Sequence, residues 1–338
     1  SVIDYGFHAE MVGWTPARLD EMREVAERGV RSFKFFTAYA ASGRRTENGP
    51  LFESMRVAAE LGAVASVHAE DESLIQARLA LMEDSEKARM TALGLSRPDL
   101  CEASAVHEVV WLADRAGVQV HIMHLSSALG LEEVREARRR GTDVTAETCP
   151  HYLIFSEDDL ERLGGVLKCT PPVRTRETVE ALWDCVRSGS VDVISSDHSP
   201  STVAQKNPAS GSFWDMWGGA QGVQTMLPAL LTHGVRRRGL SVEMLVRLVS
   251  ENPARLMGLY PRKGVIRIGS DADLTILDPS ARWTLAPEML LHKNKHSPYM
   301  GMEFEGRVTA TLVRGAVVFD GRGITADPGS GRLLRGSF

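Results

Sequence analysis

Residues 32–38 read Ser-Phe-Lys-Phe-Phe-Thr-Ala, an apolar, aromatic run with one lysine, Lys34, near its middle and a helical pattern some way beyond it. A run of this length and composition predicts a short buried strand, and a lysine within it either snorkels from a sheet edge or has a chemical task. Three further runs share the pattern. VASVHAE (64–70) contains His68, VQVHIMHLS (118–126) contains His124, and VDVISSD (191–197) ends on Asp197. Each puts a metal-competent or proton-transferring group where a parallel strand would end, which is how a barrel hydrolase builds its site at the C-terminal mouth of the strands.

Outward from these four, the chain carries seven such runs: VIDYGFH (2–8), SFKFFTA, VASVHAE, VQVHIMHLS, DVTAETC (143–149), GVLKCTPP (165–172) and VDVISSD. Amphipathic stretches separate them, with helix-start chemistry at Thr15-Pro16 and at Thr175. Strand alternating with helix predicts a parallel sheet. Lys34 to His68 is 34 residues, close to the roughly 30 residues of one unit in an eight-unit barrel. The 56 residues from His68 to His124 hold a helical insertion at 73–90, and the 73 from His124 to Asp197 span two further strands. The expected fold class is α/β: a TIM-like (β/α)8 metallo-dependent hydrolase barrel over residues 1–262 that lacks its first strand. A seven-stranded remnant leaves an open seam of unpaired N–H and C=O groups, so another strand is expected upstream of Ser1. Over residues 263–338 the pattern changes. GVIRIGSDADLTILD (264–278) and VTATLVRGAVVFDG (308–321) alternate in strand fashion around Gly, Ser and Asp turns, predicting part of a small C-terminal β-sandwich.

With 338 residues, 43% hydrophobic and 25% charged, the chain is long enough for one barrel-sized domain and a smaller one. A net charge of -5 with both signs interspersed gives no basic stripe for nucleic acid and no polybasic segment for a membrane surface. The longest apolar runs fall far short of the roughly 18 residues of a membrane span, and no charged-then-apolar signal is expected ahead of Ser1. These features exclude nucleic-acid and membrane partners, leave a small polar substrate, and predict a cytoplasmic location. Cys101, Cys149, Cys169 and Cys185 form no C-x-x-C pair, so neither a disulfide framework nor a zinc knuckle is expected; Cys149 and Cys169 read as small buried apolar side chains.

Hydrolysis of an amide needs a polarised carbonyl, an activated water and a protonated leaving nitrogen, and two metal ions supply the first two. Neutral imidazoles, as at His68 and His124, are good zinc ligands. Asp197 suits an ion and a proton that passes from the attacking water to the leaving nitrogen. Lys34 is the odd member: an ammonium is repelled by metal ions, so this lysine is either elsewhere or chemically altered.

These motifs resemble the cyclic amidohydrolases of the amidohydrolase superfamily, the group of hydantoinases, dihydropyrimidinases, allantoinases and dihydroorotases, over essentially the whole chain. The resemblance implies that the lysine of the F-K-x-F segment, Lys34, is carbamylated and bridges two divalent metal ions, Zn2+, as a carboxylate. It implies that His68 of VHAE and His124 of HLSS bind one ion, and that Asp197 of SDHSP binds the other and is the general base, with a metal-bridging hydroxide as nucleophile. The family's strand-one His-x-His has no match and is expected upstream of Ser1, leaving an incomplete site for one ion. IDYGFH and SFKFFTAY resemble hydantoinases and dihydropyrimidinases, whose tyrosine five residues after the lysine contacts substrate; Tyr39 occupies that place. AETCPHY, LKCTPPVR, SSDHSP, FWDMWGGAQGVQ and HKNKHSPYMGM resemble allantoinases more closely, implying ring-holding backbone groups at Gly218 and Gly219 and a backbone contact at Thr170. The implied substrate is a small cyclic ureide (allantoin, a hydantoin or a dihydropyrimidine), and the implied assembly is a homo-oligomer, a dimer or tetramer. Dihydroorotate fits less well, because that branch reads its carboxylate with an arginine beside the absent His-x-His. A non-catalytic scaffold is the alternative from another class; Lys34, His68, His124 and Asp197 occurring together argue against it.

The remaining polar residues carry smaller expectations. His121, three residues before His124, is expected on the opposite face of its strand, packed on a helix. His8 is expected at the site mouth or as a solvated or core residue, His198 pointing away from the metals, and His151 near the mouth by analogy. Glu70, Asp71 and Glu147 read as carboxylates that cap the next helix or bind neighbouring lysine and arginine, and His292 and His296 as structural loop residues.

Overall fold

The aromatic and β-branched runs form one parallel sheet. In the computed structural model, which describes residues 1–336, strands β1 (Ala9–Glu10), β2 (Ser32–Phe36), β3 (Val64–His68), β4 (Gln119–Ile122), β5 (Val144–Thr148) and β6 (Val193–Ile194) lie side by side in sequence order, every pair parallel. Helices Arg18–Glu27, Asn48–Glu60, Asp99–Ala116, Ala128–Arg139 and Arg176–Arg187 make the five returns. Such repeated crossovers gather all strand C-termini at one rim. The period of two along β2 sets its role: Phe33 and Phe35 are fully buried in the core, while Lys34 and Phe36 line a cavity. The helices answer with apolar inner faces. Trp183 of Arg176–Arg187 is fully buried and its indole N–H donates to the Leu153 carbonyl at 2.6 Å; truncating such a tryptophan costs about 3–5 kcal/mol.

Two predicted strands are corrected. VIDYGFH does not join the sheet, because Tyr5 exchanges backbone bonds with the C-terminal tail: its N–H donates to Arg332 at 3.0 Å and its carbonyl accepts from Leu334 at 2.7 Å. The first parallel strand lies just beyond it, at Ala9–Glu10. GVLKCTPP is no strand either. Pro171 and Pro172 have no N–H for a ladder, and a turn occupies Gly164–Val166. The sheet thus has six strands rather than seven among the described residues. Helix starts agree better: Thr175 caps its helix by accepting from Thr178 N at 3.2 Å, whereas after Thr15-Pro16 a turn intervenes before Arg18.

A three-stranded antiparallel sheet, β7 (Leu274–Thr284), β8 (Glu303–Val313) and β9 (Ala316–Phe319), follows the barrel. Residues 264–273, expected to begin a strand, are turns with Ile266 and Ile268 exposed. Residues 337 and 338 of the predicted C-terminal segment lie outside the described residues. Asp4 ties the chain start to this part, accepting from Lys263 at 2.8 Å, from Arg332 N at 2.9 Å and from Arg314. Asp4, Asp271 and Asp273 lie close enough to hold a cation, but the Lys263 ammonium already sits among them. All four cysteines are free and buried, and no helix among the described residues is long and apolar enough to cross a membrane.

Candidate active site

All eight residues singled out from sequence line one cavity of about 550 Å³: Lys34, Tyr39, His68, His124, Thr170, Asp197, Gly218 and Gly219. Lys34 lies within β2, His68 ends β3, His124 stands two residues past β4, and Asp197 three past β6. Backbone strain concentrates here. Tyr39 (φ 73°), His124 (φ 41°) and Asp197 (φ 40°) are three of the four non-glycine residues with left-handed backbone among the described residues. Each such residue costs about 1–3 kcal/mol and persists only where its surroundings fix it.

The turn at His124 also corrects the expectation for His121. On a regular strand the two would face opposite sides, but the left-handed backbone at His124 breaks the alternation. His121 keeps the face of Met123, its Nδ1 2.8 Å from Thr145 Oγ1 and its Nε2 3.3 Å from Glu147, so it packs against a carboxylate of the neighbouring strand rather than on a helix.

His68 Nδ1 lies 3.0 Å from His124 Nε2, with both side chains buried. Burial lowers both imidazoles below their ordinary range; at His68 Glu70 opposes this, and at His124 the charge of Lys34 adds to it. Neutral rings are the form that binds metal. On its other side His68 Nε2 is 2.8 Å from Glu70, whose carboxylate also accepts from Arg97 at 2.6 Å. Burial alone would raise the Glu70 carboxyl, but Arg97 and His68 hold it down to about 2. Glu147 accepts from the His124 backbone N–H at 3.3 Å. Arg97, Glu70 and Glu147 therefore fix the histidines, a task the sequence reading did not assign. Glu70 is visible two residues after His68, whereas Arg97 reaches it from 27 residues further along, just past the short helix Ala92–Ser96.

Lys34 Nζ sits over the Phe36 ring at 4.7 Å, 3.0 Å from Met123 Sδ, with no carboxylate at ion-pair distance among the described residues. Burial pulls its amine down to about 8, against the opposing charges of Asp197 and Glu147. Burial and the charge of Glu147 push Asp197 up to about 7, with Lys34 opposing.

Tyr39 donates its hydroxyl hydrogen to Thr170 Oγ1, and its ring lies 4.9 Å from that of His68. The two glycines differ. Gly219 (φ 128°) donates its N–H to Lys168 O at 2.8 Å and its carbonyl accepts from Lys206, so its backbone is already used; Gly218 makes no hydrogen bond among the described residues. Asp71 caps helix Glu72–Leu81 by accepting from Leu74 N at 3.0 Å. His198 accepts from Gly222 N at 3.2 Å, and His296 is 2.8 Å from Ser201 O, both structural positions. His8 contacts Ser32 Oγ at 2.6 Å and borders a separate cavity of about 270 Å³ with His121. His151 is buried against Tyr152 and does not line the site.

The donors fit a metal. Two imidazole nitrogens on one tetrahedral zinc, each at 2.0–2.1 Å, stand about 3.3 Å apart, close to the observed separation of His68 and His124. His124 Nδ1 is buried without a hydrogen-bond partner among the described residues.

Comparison with known proteins gives the same direction. The model of the amidohydrolase family matches residues 16–318. An allantoinase of Rubrobacter xylanophilus is 40% identical over 333 residues, covering 97% of this chain and 72% of that protein. An L-hydantoinase of Paenarthrobacter aurescens is 36% identical over 324 residues, 95% of this chain and 71% of its own. Among solved structures, L-hydantoinase (dihydropyrimidinase) from Arthrobacter aurescens superposes with a TM-score of 0.93 at 35% identity, over 98% of this chain and 73% of that one. Dihydropyrimidinase from Brevibacillus agri does so with 0.94 at 30% identity, over 100% and 74%. The chain belongs to the amidohydrolase family, whose members generally bind divalent metals.

Proposed function

We propose that this protein opens the C–N amide bond of a cyclic ureide (allantoin, a hydantoin or a dihydropyrimidine) with divalent ions, Zn2+, held by carbamylated Lys34, His68, His124 and Asp197. The observation that carries this is the convergence of those four side chains, from four separate parts of the sheet, on one cavity. The relatives named allantoinase and hydantoinase support the substrate class.

Bound ions would supply Lewis acidity and lower the pKa of water. The chain's residues do the rest. Carbamylation begins with loss of one proton from the Lys34 ammonium; the free amine then forms an N–C bond to carbon dioxide and loses a second proton, so the cation becomes a carbamate anion with a carboxylate end. Glu70 and Glu147 hold the histidines in place. Asp197 takes the proton of the attacking water on a carboxylate oxygen and passes it to the leaving ring nitrogen. With substrate bound, the Tyr39 hydroxyl turns its one hydrogen from Thr170 to the oxygen that gains charge and accepts from the Thr170 hydroxyl in return, and the unpaired amide and carbonyl of Gly218 pair with the N–C(=O) unit of the ring. In this reading residues 1–262 form an incomplete hydrolase barrel, residues 263–338 a C-terminal β-sandwich segment and tail, and the assembly is a dimer or tetramer, which light scattering would read.

The test is a panel of allantoin, 5-substituted hydantoins, dihydrouracil and dihydroorotate with zinc-loaded protein. Opening of a ureide ring supports the reading; no turnover of any of them leaves the scaffold alternative.

A further inference from the structure

Part of the cavity wall is the segment 213–219, from which Trp214, Met216, Trp217, Gly218 and Gly219 face the cavity. A single 3-10 turn, Phe213–Asp215, is its only regular structure. Two buried ammonium groups hold it instead. Lys168 Nζ donates to the carbonyls of Phe213 (2.7 Å), Trp214 (2.9 Å) and Met216 (2.7 Å). Lys206 Nζ donates to Trp217 (3.0 Å), Gly219 (2.5 Å) and the Lys168 carbonyl (3.2 Å). An ammonium has three N–H donors, so each is saturated, and together they gather five of the seven carbonyls in the segment.

Neither lysine meets a carboxylate at ion-pair distance among the described residues, and both side chains are buried. Burying an unpaired cation is expensive, and an apolar side chain would fill the space at less cost. The geometry of donors explains why charge is kept: a neutral amine has only two N–H groups and turns a lone pair toward the third carbonyl. The result is a fixed wall. Gly218 stands between two held residues, Trp217 and Gly219, and its own backbone groups stay unpaired.

We propose that Lys168 and Lys206 are positioning residues for substrate: a pair of ammonium clamps that fix the 213–219 wall and leave the Gly218 backbone free at the cavity. This rests on the cavity being the substrate site.

Hydrogen–deuterium exchange on the full chain, comparing the unaltered protein with Lys168→Met and Lys206→Met, tests it alongside allantoin kinetics. The amides of Trp217 and Gly219 are expected to exchange at least about tenfold faster in the variants while β2–β5 keep their protection. KM for allantoin is expected to rise about tenfold with kcat within about threefold. Should a methionine variant not fold, Lys206→Gln, which keeps two N–H donors, serves in its place. Unchanged exchange in 213–219, loss of protection throughout the barrel, or faster exchange with an unmoved KM would each overturn the proposal. If the unaltered protein opens no ureide, the exchange result still reads the clamp, so the two readings fail separately.

Discussion

His68 Nδ1 and His124 Nε2 face each other at 3.0 Å, each ring buried and each fixed from behind by a carboxylate, Glu70 on the His68 ring and Glu147 on the His124 backbone. Two neutral nitrogens held this close have little reason to meet except across a shared proton or a shared ion. Replacing either, as His68→Ala or His124→Ala, is expected to remove about one zinc per chain and to lower ureide hydrolysis at least about a hundredfold. Metal analysis of dialysed protein reads the first effect directly.

Glu70→Gln keeps the shape of the side chain but removes the charge shared by His68 and Arg97. Zinc affinity is expected to fall about 10- to 100-fold, as for other partners behind a metal ligand. Stability should drop by about 2 kcal/mol, because Arg97 loses its carboxylate. Zinc titration and denaturant unfolding separate the two.

Tyr39→Phe is expected to leave the fold intact while removing the hydroxyl that meets Thr170. If that hydroxyl donates to developing charge, kcat falls about 10²- to 10³-fold with little change in KM. An enzyme that prefers allantoin and does not need Tyr39 contradicts the role drawn from the hydantoinase-like segments.

Gly219→Ala is expected to destabilise the protein by about 1–3 kcal/mol, since the backbone is left-handed (φ 128°) and a Cβ would approach Ser199 to 2.4 Å. At Gly218 the nearest atom to a Cβ is Thr170 Oγ1 at 3.6 Å, ordinary contact, so Gly218→Ala should melt like the unaltered protein. Paired thermal melts check both.

Acid stability depends on Asp4. Burial raises its carboxyl, but hydrogen bonds from Arg314 and Lys263 more than offset this and leave it below the ordinary 3.8. A carboxyl that ionises more readily when folded contributes fully above its unfolded value, and the contribution is lost as pH falls toward the folded one. Asp4→Asn should therefore lower the thermal midpoint near neutral pH and lose less than the unaltered protein between about pH 5 and pH 2. Parallel melting curves for the two proteins would contradict this.

The site was more legible than the sheet. Lys34, His68 and Asp197 each sit in or at the end of a short apolar run, and such runs announce themselves in sequence; those three and His124 do line one cavity. His121 was misread because periodicity assumes a regular strand, and the left-handed turn at His124 is a tertiary choice with no local signal. GVLKCTPP has strand-like composition, yet its prolines and the demands of Lys206 and Gly219 on the Lys168 carbonyl take it out of the ladder. Arg97, Lys168 and Lys206 escaped notice for a related reason. Their partners lie 27, 45 and 13 residues away, for example Glu70, Phe213 and Gly219, in segments whose approach only the folded barrel creates.

The most direct test of the central claim measures bound zinc and allantoin hydrolysis together, on protein stripped with a chelator and then reloaded, for the unaltered chain and for Lys34→Ala and Asp197→Asn. Activity should vanish on stripping and return on reloading only in the unaltered chain, with Lys34→Ala binding less metal. A stripped protein that still hydrolyses allantoin, or equal zinc in all three, would contradict the account.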